Sequence, residues 1–136
     1  MKVIVCLDDK AGMLFGGRRQ SKDRLLREDM LNLTAGSILW MDEYSFRQFT
    51  EEAQNIRVDG DFLSLAGPED FCFVERADIS HYADRVSGVI LYRWNRAYPA
   101  DIQFPVELFS SKWSLASSEE FPGFSHEVIT REVYAL

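Results

Sequence analysis

The segment GVILYRWNRAYPADIQFP, from Gly88 to Pro105, constrains the fold of this chain more than any other. Val89 to Trp94 is an apolar and aromatic run interrupted only by Arg93, which suits a strand covered on both faces in a largely parallel sheet. The loop that follows holds Arg96, Tyr98, Pro99 and Asp101, so aromatic and guanidinium groups lie just beyond a strand end. That is where open α/β sheets dock their ligands. Val3 to Leu7, bounded by Asp8 and Asp9, is a second such run and a candidate central strand.

Between these runs, strand and helix patterns alternate. Leu25, Leu26, Met30, Leu31 and Leu33 recur at near-helical spacing, with Ser21 as the N-cap candidate and Gly36 as the stop. Ser37 to Met41 reads as a strand, and Asp42 caps a helix on which Tyr44, Phe46, Phe49 and Ala53 are spaced for partial burial. Asp61 to Ala66 and Phe71 to Val74 read as further strands, and Asp78 caps a short helix with Ile79, Tyr82, Ala83 and Val86. After Pro105 the helical signals end, and two strands remain, around Trp113 to Ser118 and His126 to Tyr134. The pattern predicts one α/β domain over residues 1–136, a mixed and mainly parallel sheet with flanking helices and a C-terminal antiparallel hairpin.

Charge and residue usage narrow the function classes. A net charge of −7 repels polyanions at long range, which disfavours nucleic acid and acidic membrane surfaces as partners. His81 and His126 have no metal-ligand spacing, and no His-x-His-x-Asp-His cluster is present, so no metal and no ribonuclease-type processing chemistry is expected. Cys6 and Cys72 sit inside apolar runs and read as small core residues rather than reactive thiols or a disulfide. The apolar stretch of MKVIVCLDD is too short for a signal peptide or a membrane span, so a cytoplasmic location is expected.

From Gly88 onward the chain resembles the dihydrofolate reductase family. The matching features are the β-branched and aromatic strand, Ala100-Asp101 at a Gly-Asp-like step, the closing Phe104-Pro105, Trp113 opening a strand, and Ser125-His126 leading into the last one. The resemblance implies that fold along nearly the whole chain, with the middle shorter by about one strand–helix unit between Ala53 and Phe71. It implies Asp23 as the catalytic acid and Tyr92 at a position that faces the substrate. It also implies NADPH held by its phosphates at two helix N-termini, yet the glycine triplet of one is replaced here by Val74-Glu75-Arg76, and the Gly and basic pair of the other by Met41-Asp42-Glu43. Each close contact between phosphate and carboxylate costs on the order of a few kcal/mol in a partly wetted site, so no cofactor is expected.

Two groups of residues are candidate ligand contacts. Gly16-Gly17-Arg18-Arg19-Gln20-Ser21 either cradles an anion with its arginines and the amides of the following helix, or is a solvated loop whose arginines pair with surplus carboxylates. Trp40, Tyr92, Trp94 and Tyr98 are predicted to line a cleft beneath Arg18 or Arg19 that stacks a small planar or anionic ligand. Alternatively Trp94 and Tyr98 are an interaction surface, exposed in the monomer and covered by a ligand or a second subunit in a homodimer. The expected function is therefore a diverged, non-reducing relative that binds a small ligand or a protein partner at the former substrate cleft. The competing expectation is an NADPH-dependent reductase in which Asp23 supplies the proton and Arg18 or Arg19 replaces the lost phosphate contacts.

Overall fold

A computed structural model describes residues Met1–Leu136. In chain order the elements are β1 (Lys2–Leu7), β2 (Gly12–Phe15), β3 (Arg18–Arg19), α1 (Arg24–Thr34), β4 (Leu39–Met41), α2 (Glu43–Phe46), β5 (Ile56–Val58), α3 (Phe62–Leu65), β6 (Phe71–Phe73), β7 (Gly88–Arg93), β8 (Ile102–Gln103), β9 (Ser114–Phe121) and β10 (Ile129–Ala135). Short 3-10 turns cover Ser80–Arg85 and Val106–Leu108.

Seven strands form one sheet in the order β5-β4-β6-β1-β7-β10-β9. The first five pair in parallel, and β10 and β9 add an antiparallel hairpin at the other edge. The β1 register of Lys2 with Gly88 through Leu7 with Arg93 brings Asp8, at the end of β1, beside Trp94, at the end of β7. The β6 turn lies along the same rim, because Ile4 pairs with Phe73.

Both faces of β1 are dry, which is why its sequence is continuously apolar rather than alternating. Val3, Val5 and Leu7 face one layer, built from Phe62 and Leu63 of α3, Ile79, Phe104 and Phe109. Ile4 faces the other, where Leu26 and Met30 of α1 pack with Leu39, Phe73, Ile90 and Tyr92. Fully burying each such side chain contributes about 1.5 to 3 kcal/mol.

Several local expectations are corrected. Asp61 to Ala66 is not a strand: its Leu-Ser-Leu core lacks β-branched residues, Asp59 accepts the Asp61 amide at 2.8 Å, and the segment closes into α3, while the strand beside β4 is Ile56–Val58. The helix expected to reach Ala53 ends at Phe46. Ser21 does not cap α1; Asp23 does, its carboxylate accepting the Leu25 and Leu26 amides. The last strand starts at Ile129, so His126 lies in the loop before it. Gly16 and Gly17 do not open a helix either. Their φ values of 60° and 76° form the two-residue turn of a hairpin between β2 and β3, which β8 extends into a small second sheet. No helix is long and apolar enough to cross a membrane.

Candidate functional site

At the start of α1, Asp23 is 3 % exposed and carries three donors on each oxygen. Oδ1 accepts from the amides of Leu25, Leu26 and Phe124. Oδ2 accepts from the Ser125 amide at 2.9 Å, the Ser125 hydroxyl at 3.3 Å and His126 Nδ1 at 2.8 Å. Burial alone would raise its pKa, but the Phe124 amide, the imidazole and the remaining amides outweigh that and hold the carboxyl far below the usual carboxylate range. Because an ionised carboxylate can only accept, His126 Nδ1 carries a proton. On the other side of the ring, Nε2 meets the Ser21 hydroxyl at 3.0 Å and the Tyr98 hydroxyl at 3.1 Å. Trp94 stacks on the imidazole at 4.6 Å.

Asp8 braces the neighbouring loops. It accepts the Lys10 and Gly12 amides at 2.8 and 2.7 Å, the Gln20 side-chain amide at 3.1 Å and the Tyr98 amide at 3.2 Å. Burial opposes its ionisation, and these donors, led by Gly12, hold its pKa below the ordinary value. One acid thus positions both Gln20 and Tyr98.

A third buried acid, Glu75, fills the crevice beyond β6 and β4. It makes a two-point ion pair with Arg19 at 2.9 and 3.1 Å and accepts from the Ser45 hydroxyl and the Gln48 amide. Burial alone would lower the Arg19 pKa, but Glu75 raises it above the ordinary value. Arg19 and Arg76 both lie over the Tyr44 ring, at 4.2 and 4.3 Å.

A cavity of about 340 Å³ opens between the Val74–Ser80 turn and the Ile102–Pro105 segment. Met13, Val74, Ile79 and Phe104 make it apolar, while Arg76 and Asp78 stand at its edge. Its size falls within the range of small-molecule sites.

The predicted aromatic cleft is not assembled. Trp40 packs into the layer with Val3 and Leu7 and donates its indole N–H to Asp70 at 3.0 Å, whereas Tyr92 is fully buried in the opposite layer and donates its hydroxyl to Asp29 at 2.7 Å. Adjacent strands place side chains by a period of two, and these two residues point to different faces. Trp94, expected to be exposed, is 3 % exposed; Tyr98 is half-buried. Arg18 is exposed without an acid partner, and Arg19 is committed to Glu75. His126, considered in the sequence only for metal ligation, and Ser21, read as a cap, meet at Asp23 in a cluster that sequence reasoning missed. The Ser125-His126 pair was visible, but nothing in the sequence set it over Asp23 across more than one hundred positions.

No protein-family model and no curated protein sequence matches the chain. Among solved structures, dihydrofolate reductase from Enterococcus faecalis, complexed with NADP(H) and RAB-propyl, superimposes with a TM-score of 0.70 at 11 % identity, covering 98 % of this chain and 94 % of that chain. The chain has a diverged dihydrofolate reductase-like fold, and its mixed, mainly parallel sheet is the one expected. The turns after β4 and β6, where the resemblance implies dinucleotide phosphates, both carry carboxylates engaged within the chain. Asp42 Oδ1 already accepts the Ser45 amide at the start of a four-residue helix, and the Glu75 carboxylate occupies the other crevice.

Proposed function

We propose that this protein is a diverged, non-reducing member of its fold that binds a small planar anion. The observation that carries this reading is the 340 Å³ cavity beside β6, which is apolar within and has at its edge an arginine without a carboxylate partner, Arg76. A flat ring system would lie against the apolar lining of Met13, Ile79 and Phe104, with a carboxylate or sulfonate turned to the guanidinium. The rival positions support the same reading. Asp23 has every acceptor direction filled and no face left for a substrate, and Glu75 with its partner Arg19 fills the turn that a pyrophosphate would need.

Two titrations test it. Anilinonaphthalene sulfonate, a planar aromatic anion, is expected to bind saturably at one site per chain, with the affinity falling about tenfold or more in Arg76→Glu and in the cavity-filling Ala77→Trp. NADPH at millimolar concentration is expected to leave the melting temperature unchanged, since ligand that binds the native state raises it. Unsaturable dye binding, or binding that both variants retain, overturns the cavity assignment. A saturable NADPH shift restores the reductase reading.

A further inference from the structure

We propose that Ser21, His126 and Asp23 form a nucleophile–base–orienter relay that accepts acyl groups, giving this protein a hydrolytic activity toward small activated carboxylic esters. The geometry is that of a serine hydrolase triad, which is recognised by roles and distances rather than by chain order. Ser21 Oγ lies 3.0 Å from His126 Nε2, and His126 Nδ1 lies 2.8 Å from Asp23 Oδ2. Helix capping does not explain the serine. Asp23 caps α1, and the imidazole is the sole hydrogen-bond partner of the Ser21 hydroxyl.

The surroundings suit each role. His126 is 5 % exposed and is held from both sides, by Asp23 through Nδ1 and by the Trp94 ring across its face, so the tautomer and the ring plane are both set. With the proton on Nδ1, Nε2 is the acceptor nitrogen, shared between the Ser21 and Tyr98 hydroxyls, and can take the serine proton. Ser21 itself is half-exposed, so a small ester reaches it without displacing the core. The Tyr98 hydroxyl meets the same nitrogen at 3.1 Å and holds the outer edge of the ring beside the serine. Phe124, 67 % exposed, follows on the loop whose amide binds Asp23 and offers an apolar surface to a short acyl or aryl group.

The reaction balances without a cofactor. Ser21 Oγ attacks the carbonyl carbon as its proton passes to His126 Nε2, and the carbonyl π pair becomes the oxyanion. Collapse breaks the bond to the leaving alkoxide or phenoxide, which takes the proton from Nε2 and leaves an acyl ester on Ser21. Water attacks that ester with His126 again as base, releasing the carboxylic acid and restoring the hydroxyl. Ser21, Asp23, His126 and Tyr98 do not line the cavity beside β6, so the reaction draws on no group from it.

The test uses the full chain and p-nitrophenyl acetate. The expected result is a burst of p-nitrophenolate no larger than one per chain, with a single acetyl group located by peptide mass spectrometry on Ser21. Ser21→Ala, which keeps the Asp23 cap and so the fold, abolishes both. His126→Gln slows acylation by about 100-fold or more. Should that variant lose its unfolding transition, the wild-type rate against pH replaces it, and a rise to a plateau as one imidazole deprotonates is expected. An acetyl group on any other residue, a burst retained by Ser21→Ala, or a rate that climbs with hydroxide without a plateau overturns the proposal.

Discussion

At the residue scale, Asp23 shows how a carboxylate can be both buried and stable. It replaces water by four amide donors, two from its own helix and two from the remote loop before β10, together with an imidazole and a hydroxyl of that loop. Charge-assisted hydrogen bonds of this kind contribute about 1.5 to 3 kcal/mol each, before the cost of dehydrating the acid. Because the folded-state pKa is depressed, this stabilisation is complete above the unfolded value near about 4 and is lost as pH falls through the folded one. Asp23→Asn is therefore expected to lower unfolding stability by about 3 kcal/mol near neutral pH, where the loss of charge is felt in full. The gap between wild type and variant should narrow as pH drops below about 4. Urea denaturation across that range checks it, and a pH-independent gap would mean that shape rather than charge holds the carboxyl group.

At the element scale, the loop before β10 is what closes over the start of α1. Gly123 makes this possible: a Cβ there would lie 2.8 Å from Asp23 Oδ2 and 2.8 Å from the His126 carbonyl oxygen. Neither atom is a flexible side-chain tip with room to move. Gly123→Ala is expected to cost about 1 to 3 kcal/mol and to lengthen the His126–Asp23 contact, seen as a changed imidazole NMR signal. An unaltered signal with unaltered stability would show that the loop shifts freely. The β2–β3 hairpin follows a different logic. Its two glycines supply the positive φ values that a tight turn demands, and the turn delivers Arg19 to Glu75.

At the scale of the whole molecule, the sheet has a rigid centre and a wet edge. β1 and β7 are flanked by strands on both sides and buried on both faces, whereas β9 pairs only with β10 and exposes nearly every side chain. Opening free energies are expected to follow burial. Amide hydrogen exchange should be slowest in Val3–Leu7 and Val89–Leu91 and markedly faster along β9. Equal protection in both regions would point to a cover on β9 in solution. The acids and arginines discussed above gather at the rim where the parallel strands end, because the in-register pairing of β1 with β6 and β7 puts those ends side by side.

By itself the sequence determined the two-faced central strands, the amphipathic α1 and the terminal hairpin, because those follow from local apolar period that a short window contains. The caps it offered are displaced: Asp23 rather than Ser21 caps α1, and Ile79 rather than Asp78 holds the cap position of the Ser80–Arg85 turn. It also carried the dihydrofolate reductase-like architecture through the order of features after Gly88. Tertiary structure alone decided which side chains meet. Trp40 and Tyr92 differ in facing, a parity set by strand register. Asp23, His126 and Ser21 became one cluster only when the loop before β10 closed over the start of α1, a contact between segments more than one hundred positions apart that no local pattern encodes.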